Sequence, residues 1–420
     1  MLVNKKNLPF LINIGVLLSS GLVGGGQVAH QQHFHLNPKK AAAPVVRRLR
    51  VKKEAKEQGA IPLPDVIKGE EGASFVLALP EYGDMDVPGK KLLDGAAFCV
   101  GQLRAQLSKG AVKFSYGGSS TKVGDAGVEQ LLKFPSEVRI VIGATGSEYL
   151  LQLLSHPQLK KMFYLFPIDG STMVREKASA NTIFFRPTYK QELRALVNYL
   201  MEKHLETKVA ILYESGLWGS ALYEELCQLL KEKNITPLIA ARYQKNTVDV
   251  GRAIKAIGNA APSAVLCLAK PRPAYKFVKD AVDFGMHSTV FLGLSPLLSI
   301  QHLLKNARGV DLVAISVVPP ETASLELVDH YKKFFGERFT FKRSNPYYLE
   351  AFLYSQLLLN GLQAVPEAAK QPELLLKYFE SFKDKNFLGL PLSFNPSTRG
   401  LVTRLWIVPG NDKQWIEVAL

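Results

Sequence analysis

The strongest constraint on the fold is a repeated alternation of short apolar runs with amphipathic helical patterns, beginning near Gly72. A first series of runs, rich in β-branched and aromatic residues, reads ASFVLALP, AVKFSY, VRIVIG and MFYLFPI. A second series reads KVAILYES, TPLIAARY, SAVLCLA, TVFLGL and VDLVAISVV. Strands that alternate with helices form βα units, and strands buried on both faces of a parallel sheet read as continuous apolar runs. The two series predict an α/β fold with two doubly wound, Rossmann-like lobes.

One segment marks the passage between the two series. NTIFFRPTYKQELRALVNYL carries a strand into a helix, and Pro187 lies at the break between them. The residue before a proline avoids helical backbone, so we expect the chain to cross between lobes here. After Pro319 and Pro320 the patterns are mainly helical, and the chain ends in a hairpin-like pair of strands.

The N-terminal segment carries most of the positive charge. The formal net charge is +15, and the first 53 residues contain nine Lys or Arg and no acid. This distribution, without interleaved basic and aromatic residues, argues against nucleic-acid binding. Lys5 and Lys6 precede an apolar core shorter than the ~20 residues of a membrane span, so we predict a secretory signal peptide at 1–29, a basic flexible linker at 30–72 and a periplasmic location. An uncleaved inner-membrane anchor stays open, because the positive charges after the core resist translocation.

A glycine-rich turn follows the third apolar run, in RIVIGATGSEYLLQLL. A dinucleotide site needs three spaced glycines after the first strand, and a phosphate-binding loop needs Gly-Lys-Ser/Thr; this turn has neither pattern. Gly143 and Gly146 nevertheless allow backbone amides to approach a ligand, and a helix N-terminus favours an anion. Two interpretations stay open: a carboxylate-binding turn, and a plain helix cap with Ser147 at the cap position.

Sequence signals of catalysis are absent. The chain has no G-x-S-x-G or H-E-x-x-H motif, and its eight histidines are three in the N-terminal segment and five that are scattered, without partners at metal-ligand spacing. We therefore predict a protein that is not an enzyme and that requires no metal or cofactor. A glycosyltransferase-like enzyme with two Rossmann-like lobes is the less favoured alternative.

Six stretches, in order, resemble one family. They are EYGDMDVPGKKLLDGAAF, VRIVIGATGS, FYLFPIDGSTMVREKASANTIFFRPT, KVAILYESGLWGSALYEELCQLLKEKNI, NPYYLEAFLYSQLLLNGL and FLGLPLSFNPSTRG. They resemble the type 1 periplasmic binding proteins, specifically the leucine/isoleucine/valine-binding receptors of ABC transporters. The resemblance implies two α/β lobes joined by a three-crossing hinge that closes on a small ligand. It places lobe one at 73–187 and 320–388, and lobe two at 188–319 and 389–420.

The resemblance also implies which residues bind the ligand. The ligand carboxylate is expected at the hydroxyls of Ser147 and Thr172 and at the backbone of Gly170. Trp218 is expected to form an aromatic wall. The complete predicted site contains Tyr82, Ser147, Asp169, Gly170, Ser171, Thr172, Trp218, Lys270, Arg272 and Ser295.

Two regions depart from the family pattern and indicate the ligand class. Lys270 and Arg272 stand where amino-acid binders carry an aromatic residue, and Ser295 stands where they carry an acid that faces the ligand ammonium. Burying an ammonium without a carboxylate is costly. These departures favour a small carboxylate, or an acidic or acylated amino compound, over a free branched-chain amino acid, although Asp169 in the ligand loop offers an ammonium one partner.

The predicted function is that of a periplasmic solute-binding protein. It captures a small carboxylate or amino-acid-like ligand between two lobes and presents it to an inner-membrane ABC permease, and we expect it to be a monomer. The alternative on the same fold is a periplasmic sensor or a regulator of envelope enzymes that takes no part in transport.

Overall fold

The computed structural model describes the strands at 73–77, 80–81, 112–116 and 119–120, a helix at 126–132, and residues 138–304, 310–335, 346–410 and 414–420. The predicted signal peptide, the predicted linker and Tyr82 lie outside these residues. None of the helices in this part of the chain combines the length and apolarity that a membrane crossing requires.

The first sheet contains five parallel strands. In spatial order they are β3 (Val112–Tyr116), β1 (Ala73–Leu77), β5 (Val138–Ile142), β6 (Phe163–Leu165) and β7 (Thr182–Ile183). Counted within this sheet alone the order is 2-1-3-4-5, which is that of a doubly wound sheet. A separate parallel pair joins β2 (Pro80–Glu81) to β4 (Ser119–Ser120).

Helices cover both faces of the first sheet. Successive side chains of a strand point to opposite faces, so Ile140 and Ile142 of β5 pack into one core and Val141 packs into another. The helices of the first core are α9 (Glu326–Phe335), α10 (Pro346–Ala364) and α11 (Pro372–Glu380). Those of the second are α1 (Ala126–Leu132), α2 (Ser147–Ser155) and α3 (Thr172–Lys177).

The second sheet contains seven strands. In spatial order they are β17 (Ile416–Ala419), β16 (Arg404–Val408), β12 (Asp311–Ser316), β11 (Val290–Gly293), β10 (Ala264–Leu268), β8 (Val209–Glu214) and β9 (Ile239–Tyr243). The five strands from β12 to β9 are parallel and repeat the 2-1-3-4-5 order, whereas β16 and β17 pair antiparallel at the edge. One face packs on α4 (Tyr189–Glu202) and α5 (Leu217–Glu232). The other packs on α6 (Gly251–Asn259), α7 (Pro271–Asp283) and α8 (Leu298–Leu304). The predicted fold of two doubly wound α/β lobes is confirmed.

A small antiparallel sheet corrects one predicted boundary. Its strands are β13 (Lys385–Phe387), β14 (Leu390–Asn395) and β15 (Gly400–Val402). The apolar side chains of β14 and β15 pack in the core of lobe one, and the amides of Leu401 and Val402 donate to the carbonyls of Phe184 and Phe185. The family resemblance placed 389–420 in lobe two, whereas β14 and β15 lie in the core of lobe one and the chain leaves that lobe near Thr403.

The chain passes between the lobes three times. The first passage is Phe185–Thr188, between β7 and α4. There Thr188 accepts a hydrogen bond from the Gln191 amide, and the Gln191 side chain accepts one from the Thr188 amide. This reciprocal capping box stabilises the start of α4. The second passage follows β12, and the third lies between β15 and β16.

Candidate ligand-binding site

The predicted site residues follow the carboxyl ends of parallel strands in both sheets, where open α/β sheets bind ligands. The turn after β5 and the loop after β6 belong to lobe one, and the segments after β8 and β10 belong to lobe two. A cross-lobe ion pair between Glu148 of α2 and Lys245, which follows β9, shows that the two ends face each other. The space between them is the candidate ligand-binding cleft.

The glycine-rich turn has a backbone that requires glycine but is not capped as predicted. Gly146 has φ of 94°, in the left-handed region that favours glycine, and it is the residue that caps α2. Ser147 is therefore the first helical residue rather than the cap. Its hydroxyl donates a hydrogen bond of 2.7 Å to Oδ2 of Asp169.

Asp169 is the centre of the lobe-one side of the cleft. The carboxylate is buried, and its other oxygen, Oδ1, accepts a 2.8 Å hydrogen bond from the backbone amide of Ser171. Burial raises the pKa of Asp169, while Ser147, Ser171, Lys270 and Arg175 partly offset that rise. Of the lobe-one groups predicted to bind a ligand carboxylate, Ser147 thus binds a carboxylate of the protein itself.

Position 170 requires glycine because Tyr189 packs directly against its backbone. Its carbonyl accepts from the Tyr189 amide at the start of α4, and a Cβ at Gly170 would lie 2.7 Å from the Tyr189 ring and 2.8 Å from its backbone nitrogen. Thr172, the first residue of α3, lies beside Glu225 of α5; burial raises the pKa of Glu225 and this hydroxyl partly offsets the rise. Oγ1 of Thr172 and Oε2 of Glu225 are both buried, and neither has a hydrogen-bond partner among the described residues. The structure therefore does not bring the hydroxyls of Ser147 and Thr172 onto a common partner.

Trp218 and Lys270 form the lobe-two side. Trp218 lies in the first turn of α5 and is buried, with its ring centroid 6.2 Å from that of Tyr189 in an edge-on arrangement. Nζ of Lys270 lies 3.7 Å from the centroid of the Trp218 ring, which is a cation–π contact. Nε1 of Trp218 is buried and has no hydrogen-bond acceptor among the residues that the structure describes.

Lys270 is an exposed residue, but its ammonium lies among other protein groups. Burial of the ammonium lowers the pKa of Lys270, and the charges of Glu214, Asp169 and Glu148 partly offset this effect. No carboxylate oxygen of the described residues lies within 4.0 Å of Nζ of Lys270, so the ammonium forms no ion pair with them. Lys270 is thus a cation of the candidate cleft that has no ion-pair partner among the residues that the structure describes.

Glu214 and Tyr243 are site residues that the sequence analysis missed. The Tyr243 hydroxyl donates a hydrogen bond of 3.1 Å to Oε2 of Glu214. It also accepts a hydrogen bond of 3.1 Å from the backbone amide of Lys270, the residue before α7. A signal for Glu214 was present: it is the only charged residue in VAILYE and it ends that strand, at the edge where ligands bind. Lobe two therefore does contain a buried acid, at Glu214 rather than at position 295.

Ser295 was predicted to face the ligand and instead belongs to a buried hinge network, defined as Arg186, Glu192, Ser295, Glu350 and Tyr354. The Ser295 amide and hydroxyl donate hydrogen bonds of 2.8 Å and 2.9 Å to the two carboxylate oxygens of Glu192. The same hydroxyl accepts a hydrogen bond of 3.3 Å from Arg186. Because these groups satisfy both polar atoms of Ser295, the residue is not available as a cleft-lining partner. Arg272, in the first turn of α7, is exposed, and its role in binding stays a prediction.

The hinge network joins elements of both lobes. Nε and Nη2 of Arg186 each lie 2.6 Å from one oxygen of Glu350 on α10, and the Tyr354 hydroxyl donates to the same carboxylate. Burial raises the pKa of Glu192 to about 7, against the opposing effects of Ser295 and Arg186. A second buried cation, Arg175 of α3, donates to the carbonyls of Arg186 and Thr398, and burial lowers its pKa to about 9.

A sequence model of the family described as periplasmic binding protein matches residues 117–414, well over half of the chain. The chain belongs to the periplasmic binding protein family. This periplasmic binding protein is 25% identical over 169 residues to Leu/Ile/Val-binding protein homolog 7 of Brucella abortus (strain 2308). The match spans 38% of this chain and 41% of that relative, less than half the length of either. The predicted membership of the periplasmic binding protein family is confirmed.

Solved structures share the fold of this periplasmic binding protein. A branched-chain amino acid transporter substrate-binding protein, LivJ of Streptococcus pneumoniae, in complex with isoleucine, has a TM-score of 0.68 and 13% identity, covering 83% of this chain and 100% of its own. A solute-binding protein of an ABC transporter from R. palustris, in complex with benzoate, has a TM-score of 0.70 and 14% identity, covering 83% and 96%. The relatives are named as binding proteins, and identities this low establish the fold alone.

Proposed function

We propose that this protein is the periplasmic receptor of an ABC importer and that it closes its two lobes on a small carboxylate ligand. Membership of the periplasmic binding protein family supports the location and the class of activity. The observation that carries the ligand class is the Lys270 ammonium over Trp218, which has no carboxylate oxygen within ion-pair distance in the described part of the cleft.

The physical argument is the cost of an uncompensated charge. Closing the lobes removes water from the cleft, and a cation that loses water without a counter-ion is destabilising. A ligand carboxylate supplies that counter-ion, and a hydrogen bond between charged groups contributes about 1.5–3 kcal/mol. A free α-amino acid brings an ammonium next to its carboxylate, and that ammonium would meet Lys270 as a like charge.

Calorimetry with three ligands tests this proposal. The purified protein is titrated with 4-methyl-2-oxopentanoate, with benzoate and with leucine. We expect both acids to bind and leucine to bind at least about tenfold more weakly, from one or two unfavourable charge contacts. Small-angle scattering with the acid that binds should show a more compact molecule. Tight binding of leucine without binding of either acid would show that the receptor recognises amino acids instead.

A further inference from the structure

The two sides of the cleft differ in the charged groups that they offer a ligand, and this difference indicates how the ligand is oriented. On the lobe-one side, the Ser147 hydroxyl and the Ser171 amide both donate to Asp169. A serine hydroxyl carries a single proton. Ser147 therefore has no proton left to donate to a ligand while this bond persists.

A carboxylate placed at Ser147 would also meet like charge. It would lie within a few ångströms of the Asp169 carboxylate, since Ser147 is already 2.7 Å from it. Glu148, the next residue of α2, is a second acid on the same side, and its ion pair with Lys245 joins it to lobe two. Two carboxylates that share one site disfavour each other's charged form.

The lobe-two side presents the opposite charge. Lys270 is accessible to solvent and lies over Trp218, and the Trp218 indole N–H is a buried donor that has no acceptor among the described residues. Both groups are donors only, so both are suited to the oxygens of an anion. Glu214, the lobe-two acid whose charge acts on Lys270, accepts a hydrogen bond from Tyr243.

We infer that the ligand binds with its carboxylate toward Lys270 on lobe two and with a hydrogen-bond donor toward Asp169 on lobe one, the reverse of the orientation predicted from the sequence. This inference rests on the proposed function and deepens it. It specifies the ligand as a carboxylic acid with a hydroxyl, amide or amine at the end remote from its carboxylate. Asp169 can accept from that donor because each of its oxygens accepts only one hydrogen bond within the described residues.

Three probes that share a benzoate ring test what the lobe-one end of the cleft accepts. Benzoate carries a carboxylate alone, 4-hydroxybenzoate adds a donor at the remote end, and terephthalate places a second carboxylate there. Calorimetry with the full-length protein should give the tightest binding with 4-hydroxybenzoate and the weakest with terephthalate. Terephthalate binding tightest would overturn the assignment of a donor to the lobe-one end.

Four variants assign the two ends to residues. Lys270→Met should weaken binding of 4-hydroxybenzoate about 10- to 100-fold, which is the loss of one charge-assisted hydrogen bond. Lys279→Met, an exposed lysine of the same helix, is the matched control and should leave the affinity unchanged. Ser147→Ala should change the affinity less than about threefold. Asp169→Asn removes the lobe-one charge and replaces one acceptor oxygen by an NH2 donor, so it should reduce the preference for 4-hydroxybenzoate over benzoate and strengthen binding of terephthalate.

The outcomes distinguish the orientation from the function. A large loss in Ser147→Ala with none in Lys270→Met would overturn the orientation while the protein remained a carboxylate receptor. Absence of binding for all the acids would overturn the proposed ligand class, and the orientation with it. Thermal unfolding of each variant separates a binding defect from a folding defect, and Lys270→Arg should restore at least part of the affinity of Lys270→Met.

Discussion

The hinge network and the cleft both place charged side chains between the lobes, but they pair those charges differently. In the hinge network Arg186 is held by both oxygens of Glu350, and Glu192 is held by the amide and hydroxyl of Ser295. In the cleft, Lys270 rests on an aromatic ring and is open to solvent. The buried charges that are fully paired join structural elements, whereas Lys270, which has no ion-pair partner in the described part of the chain, is the cation that we propose for ligand binding.

The difference has an energetic basis. Removing one partner of a buried ion pair leaves an uncompensated charge and is strongly destabilising. Partly exposed pairs contribute little, because water and salt screen them. Substitutions in the hinge network should therefore act on stability, and substitutions in the cleft should act mainly on binding.

The largest expected effect comes from Glu350→Gln. This substitution leaves Arg186 buried without its charged partner, and we expect the free energy of unfolding to fall by about 3–5 kcal/mol in urea titrations. Glu232→Gln is the control, because Glu232 pairs with Arg194 at 3.2 Å while both side chains are about half exposed. The control should lose less than about 1 kcal/mol. Equal losses in the two variants would remove the distinction between hinge and surface charges.

The next effect is a dependence of stability on pH that Glu192 produces. Its folded-state pKa of about 7 lies above the ordinary 4.5 of an unfolded glutamate. The folded state therefore binds the proton more tightly, so this contribution to stability is fully present below about pH 4.5 and is lost as pH rises through about 7. The loss is roughly 3 kcal/mol, from 1.36 kcal/mol per pKa unit.

Glu192→Gln isolates that contribution from the other titrating groups. The difference in unfolding free energy between wild type and variant should change between pH 4.5 and pH 7.5, with the wild type losing more stability than the variant as pH rises. A difference that stays constant across this range would mean that Glu192 is ionised in the fold throughout, as an acid fully compensated by Ser295 and Arg186 would be.

The smallest effect is expected for the cross-lobe pair of Glu148 and Lys245. Both side chains keep about a third of their surface exposed, at 35% and 31%. A double-mutant cycle with Glu148→Gln and Lys245→Met should give a coupling free energy of about 0.2–1 kcal/mol, which shrinks in high salt. A coupling free energy above about 2 kcal/mol would mean that this pair is as strong as a buried pair of the hinge network.

The residues at the edge of the candidate cleft could be predicted from the sequence, but their contacts could not. Ser147, Asp169, Trp218 and Lys270 all follow apolar strands, and the ends of parallel strands meet at one edge of a sheet. Their partners could not be predicted, because Ser147 and Asp169 are 22 residues apart and Lys270 and Trp218 are 52 apart in sequence. Ser295 illustrates the limit: its partner Glu192 lies 103 residues away.

The architecture can be predicted from the order of residues alone. Apolar runs that alternate with amphipathic helices specify two parallel sheets, because local periodicity decides which residues each strand and helix buries. The sequence also places glycine at the left-handed turn of Gly146. The packing of β14 and β15 with lobe one and the bond from Ser147 to Asp169 can be seen only in the folded chain. The same is true of Lys270, which has no ion-pair partner among the described residues. A hydroxyl or an ammonium takes whichever partner the packing of distant segments brings within about 3 Å, and no local pattern encodes that distance.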